Sequence, residues 1–186
     1  MTLRMFAVII SLALFAGCAT TQMPSGRTAD VVESRATVTA IDSQKRLLTL
    51  KDSGGKETVV EAGPVVKNFD QIKVGDEVVI SFTEALAWQV KAAGQGAPGI
   101  SSQDEVTRAQ SGERPGATIG SSVTITATIT AIDMANDTVT LTGPGGKSRT
   151  IKARNPANLR KVKVGDLVDI TYSEALAVSV KPVSKK

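Results

Sequence analysis

The stretch KVGDEVVISFTEALAWQVK, Lys73–Lys91, decides how this chain is read. Its Val, Ile and Phe alternate as in a β-strand until EALA, where Ala and Leu favour helix and Glu is depleted from strands. The chain repeats the irregularity in KVGDLVDITYSEALAVSVK, Lys163–Lys181. A local contradiction written twice at the same place belongs to the design of the fold.

The surroundings repeat as well. ATVTAID (Ala36–Asp42) returns as ATITAID (Ala127–Asp133), and LTLKDSGGK (Leu48–Lys56) returns as VTLTGPGGK (Val139–Lys147). Order and spacing hold to within one residue, which marks a duplication with one small domain per copy. Inside each copy the period is that of strands. In SSVTITATITAID, Val123, Ile125, Ala127, Ile129 and Ala131 share one face and threonines line the other. DSGG and GPGG read as turns between second and third strands. PVVKNFDQIKVGD and PANLRKVKVGD then cross to a fourth strand through one short helical turn. The expected fold is all-β: two tandem five-stranded OB-like barrels at residues 31–91 and 121–183, with residues 92–120 as linker and 184–186 as a basic tail.

Comparison of the copies suggests which face looks inward. Val78, Ile80 and Phe82 match Val168, Ile170 and Tyr172, whereas Val79 is matched by Asp169. Unpaired charges are rarely buried, so the 79/169 face is expected to look out. An unbroken strand would then carry Glu84 into the core at a cost of several kcal/mol. A bulge or tight turn at Thr83–Ala85 avoids this, making EALA a corner between fourth and fifth strands. In KVGD, Gly75 and Gly165 supply a turn and Asp76 and Asp166 bind nearby backbone. The functional alternative is an acid and base pair of Asp76 and Glu84, repeated in the second copy. No His, thiol or third polar partner supports it, and no enzyme activity is expected.

The amino terminus, MTLRMFAVIISLALFAGCATT, places Arg4 before a short apolar run, small residues and Cys18, the only cysteine. The run is too short to span a bilayer and reads as an export signal, residues 1–17. FAGC resembles the lipobox of bacterial lipoproteins, with Phe15 where Leu is usual. That resemblance implies lipidation at Cys18, a lipidated tether at residues 18–30 and stable anchoring by several acyl chains. An ordinary signal peptide or a free cysteine are the alternatives. Ala19, not Asp, points to the outer membrane facing the periplasm.

The layout ATVTAID…LTL…KNFDQIKVGDEVVISF resembles the CusF-like periplasmic copper chaperones, which are small five-stranded OB barrels. It is still more similar to a group of exported bacterial proteins with two such repeats. The copper proteins bind metal through His, Met and Trp on and between the second and third strands, where this chain has only LKDSGG and LTGPGG. It has no histidine; past the signal only Met23 and Met134 remain, and Trp88 is expected in core or interface. Soft metals need soft ligands, so neither copper nor any other cofactor is expected.

Charge gives the sharper functional signal. Residues 31–91 hold eight Lys and Arg against nine Asp and Glu, whereas residues 121–186 hold ten against five. The excess lies in KSRTIKARNPANLRKVK: Lys147, Arg149, Lys152, Arg154, Arg160, Lys161 and Lys163. Such a face suits lipopolysaccharide phosphates, headgroups or acidic polymers, or is simply solvated. With one Tyr, one Trp and four Phe there is no row of stacking rings, and nucleic acid is disfavoured as partner. Two functional classes follow. One is a non-catalytic lipoprotein that docks another envelope component. The other is a small-ligand or anion-binding module using the basic face of the second copy with Glu84 and Glu174.

Overall fold

A computed structural model describes residues 22–182. The export signal, Cys18 and the tail 184–186 lie outside the described residues. Strands are β1 (Ser25–Asp42), β2 (Leu47–Asp52), β3 (Glu57–Glu61), β4 (Glu77–Lys91), β5 (Gly99–Arg108), β6 (Gly116–Asp133), β7 (Thr138–Thr142), β8 (Ser148–Lys152) and β9 (Leu167–Lys181). The chain is all-β, as its periods require. It forms one antiparallel, open nine-stranded sheet in the order β3-β2-β1-β4-β9-β6-β7-β8, with β5 added on β6.

The EALA corner is not there. β4 and β9 are each a single 15-residue strand, paired without interruption from Glu77↔Lys181 to Lys91↔Leu167. The expected fourth and fifth strands of each copy are thus one strand. The irregularity lies instead in the first long strand of each copy, β1 and β6, at register shifts between Val38 and Ala40 and between Ile129 and Ala131. There β1 leaves β4 for β2, and β6 leaves β9 for β7. Thr39 and Thr130 sit at these bulges, and each hydroxyl donates to a carbonyl of the neighbouring strand, Thr49 and Thr140.

A corner would be required if each strand served a single core, whereas each long strand serves two. One end of the β4–β9 pair, with Val78 and Val180, packs with Val38, Leu48, Leu50 and Phe69 in a first lobe. The other end, with Val90 and Val168, packs with Ile129, Val139, Leu141 and Leu159 in a second. Glu84 and Glu174 face each other at the midpoint, between the lobes, and both are exposed. Neither glutamate is buried, and no bend is needed to keep them out of a core.

The other face also departs from expectation. Val79 and Asp169 are 5% and 8% exposed, so this face is not open to solvent at those positions. Asp169 is tolerated because Lys91 pairs with it and the Thr126 hydroxyl donates to it at 2.8 Å. Burial works to raise its pKa, but the hydrogen bonds and charge of Lys91 and the bond from Thr126 prevail and hold it below the usual value.

KVGD behaves as a turn in both copies. Gly75 and Gly165 have φ of 95° and 97°, which L side chains resist. Asp76 and Asp166 accept the backbone N–H of Lys73 and Lys163 at 3.1 and 2.8 Å. Short 3₁₀ turns at Phe69–Gln71 and Pro156–Lys161 make the crossings. The expected tether and linker are more ordered than their composition suggests. β1 already begins at Ser25, Pro24 is buried, and Gly99–Arg108 within the expected linker is a strand. Lateral pairing with β4 and β6 supplies the backbone bonds that these polar stretches cannot direct by side-chain pattern alone.

Because one strand pair belongs to both cores, damage to one lobe should loosen the other. Ile129→Ala is expected to cost about 2–5 kcal/mol. Hydrogen exchange should show faster opening at Leu48 and Leu50, in the opposite lobe; unchanged protection there would mean that the lobes unfold independently.

Candidate functional site

The lobes are related by the duplication yet differ at their centres. In the first, Phe69 is buried and the Arg46 guanidinium lies 4.6 Å from its ring centroid. Arg46 also donates to the carbonyls of Ala62, Gly63 and Val66, at 2.8 to 3.2 Å. One cation therefore stacks on the aromatic ring and ties down the crossing segment that covers the core. In the second lobe the matching residues are Leu159 and Asp137. Asp137 keeps the left-handed backbone of Arg46, with φ of 55° against 54°, and its carbonyl still accepts from Ala153 as that of Arg46 does from Ala62. The backbone is conserved between copies and the plug is gone.

What remains is a cavity of about 350 Å³. Its walls are apolar, from Trp88 and Val90 of β4, Ile129 of β6, Leu141 of β7, Leu159, and Ile170 of β9. Lys152, Arg154, Asn155 and Asn158 stand among the lining residues as its polar members. The volume falls within the range of small-molecule sites, and an apolar chamber with a few polar groups is their usual chemistry. Trp88, expected in core or interface, reaches this wall from the first copy's strand. The indole lies across Gly26, where a Cβ would come within 2.6 Å of its Nε1, so glycine is required there.

The basic residues singled out in the sequence divide accordingly. Lys152 and Arg154 line the cavity. Lys147 precedes β8, Arg149 lies on β8 opposite Leu141, Arg160 and Lys161 lie in the 3₁₀ turn and Lys163 in KVGD; all are exposed, and none lines the cavity. Glu84 and Glu174 are not part of it either. The sequence alone did not indicate a cavity, although the exchange of Phe69 and Arg46 for Leu159 and Asp137 between the copies is a signal it contains.

The two glutamates form a separate cluster. Tyr172 donates to Glu84 at 2.7 Å and reaches Glu174 at 3.5 Å, and Ser121 donates to Glu174 at 3.3 Å. Directly opposed residues share a face, so the pairs Val32↔Phe82, Phe82↔Leu176 and Leu176↔Ile119 make an apolar row beside this polar one. On the opposite face a shallow groove of about 460 Å³ includes Arg27, Gln89, Thr124 and Asp169. The Asp169 oxygens there are already engaged by Lys91 and Thr126. Among the described residues no cluster of three or more His, Cys, Asp or Glu could hold a metal ion, and no helix is long and apolar enough to cross a membrane. The sequence matches no protein-family model and no curated protein.

The hydrogen bond to Glu84, then desolvation and the two carboxylate charges, push the Tyr172 phenol up to about 12. A raised folded pKa means this contribution is present below the ordinary pKa of 10.0 and is lost as pH rises through about 12. As Tyr172 is the only tyrosine, tyrosinate absorbance reports it without ambiguity. Glu84→Gln should move the titration back toward 10.0, and an unchanged midpoint would refute the assignment of cause.

Proposed function

We propose that this chain is a non-catalytic, lipid-anchored protein of the bacterial envelope whose second lobe binds an anionic amphiphile. The observation that carries the reading is the second-lobe cavity, apolar within and edged by Lys152 and Arg154. A hydrocarbon chain gains roughly 0.8 kcal/mol per buried CH₂. A carboxylate or phosphate at its head would meet two cations that form no salt bridge among the described residues. Neither element suffices alone: the basic face without a cavity would be ordinary solvated charge, and an apolar cavity without cations would not select anions. Copper has no part in this reading.

The anchor rests on FAGC and Cys18, and the outer-membrane location on Ala19. Each lobe is read as an opened relative of the OB-like barrel to which the sequence is similar. The second reading, docking of another envelope component, is favoured by the exposed apolar row of Val32, Phe82, Leu176 and Ile119 between the lobes.

The reading is tested by filling the cavity. Asp137→Arg with Leu159→Phe would rebuild in the second lobe the plug of the first. A fluorescent fatty acid should bind the wild-type chain saturably and this variant at least about tenfold more weakly, a difference of about 1.4 kcal/mol. The variant's melting temperature should not fall. Lys152→Gln with Arg154→Gln should weaken the fatty acid but not the matching alcohol. Equal binding by the plugged variant would exclude the cavity. For the anchor, Cys18→Ala should move the protein from the membrane to the soluble fraction; a chain that stayed with the membrane would refute lipidation there.

A further inference from the structure

The duplication exposes a second asymmetry, at the sheet edge. The amino-terminal part of β6, Ala117–Thr126, pairs with β9 on one side and with β5 on the other. Alignment of Ala36 with Ala127 makes Gly26–Arg35 of β1 its counterpart. That segment pairs with β4, but β2 joins β1 only from Ala36 onward. Among the described residues, the same edge is covered in one copy and open in the other.

The orientation of the open groups follows from the ladder. Val38 donates its N–H to Asp76 and accepts from Gly75, and the Pro24 carbonyl accepts from Val90. Even-numbered residues therefore turn their backbone groups toward β4. Arg27, Ala29, Val31, Glu33 and Arg35 turn theirs to the open edge. This is a template for another strand.

We propose that the open edge of β1 is the interface of a symmetric dimer, in which the β1 strands of two copies pair antiparallel about Asp30. Three observations select a second copy as occupant. The open segment Ser25–Arg35 is centred on Asp30, so this register uses its whole length. It sets Arg27 opposite Glu33 of the second copy, twice by symmetry. It also carries the exposed apolar face across the dyad, with Thr28 beside Val32, which is 64% exposed in the single chain. Because β5 covers the equivalent edge of β6, pairing about a dyad closes at two copies instead of propagating through that edge. The arrangement contains one unfavourable contact, Asp30 facing Asp30. The interface is independent of the cavity in the second lobe and stands or falls separately.

The test uses the full chain in mild detergent. Sedimentation should show a dimer. Val31→Pro removes an outward N–H while leaving the β4 ladder intact, and proline is tolerated on edges. It should weaken the dimer by about tenfold or more, with an unchanged circular dichroism spectrum. Asp30→Asn should tighten it. Asp30→Cys, in a Cys18→Ser background, should form an intermolecular disulfide, because facing non-hydrogen-bonded residues lie about 4.5 Å apart at Cα, within disulfide reach. A monomer that yields no such crosslink, or a dimer indifferent to Val31→Pro, would overturn the proposal. If Val31→Pro does not fold, the Asp30→Cys crosslink decides alone.

Discussion

The rest of the structure depends on the antiparallel pairing of β4 with β9. Glu84 and Glu174 mark its midpoint, and the same register carries Val78–Val180 into one core and Val90–Val168 into the other. Each strand therefore contributes to its own lobe and to its relative's. A repeat of about 60 residues without a disulfide would be marginal alone. Sharing these two 15-residue strands gives each lobe apolar residues from both copies, and it removes two edges that separate units would have left open.

The same constraint explains why EALA looks misplaced. On one face of the midpoint the glutamates stand between the lobes, where no core requires an apolar residue. On the other, Ala85, Ala87, Ala175 and Ala177 keep the long pair slim, and Ala175 lies opposite Gly120 of β6. Glutamate and alanine are poor strand formers by propensity, but pairing on both sides overrides a preference worth about a kcal/mol.

Around this symmetric axis the copies have diverged where divergence is least costly to the sheet. Arg46 and Phe69 close the first lobe; Asp137 and Leu159 leave the second open without altering the local backbone. β5 covers one long edge, and its counterpart on β1 is bare among the described residues. One copy is thus closed over its core and open at its edge, and the other is the reverse. Duplication supplies the scaffold, and departures from symmetry supply the surfaces on which ligands and partners can act.

The alternation in SSVTITATITAID, the turns at DSGG, GPGG and KVGD, and the repetition of whole blocks determined that this protein is all-β, duplicated and punctuated by tight turns. Those features are local, since a period of two or a glycine at positive φ constrains a few neighbouring residues whatever lies elsewhere. The basic character of the second copy was equally plain, being a matter of counting. Which residues face a core was not. Glu84 is exposed and Asp169 buried because the β4–β9 register places the first between the lobes and the second beside Lys91. The cavity and the bare edge likewise follow from contacts between segments distant in sequence. Only the tertiary structure decided them, because the partner across a strand is set by the whole sheet and not by the strand itself.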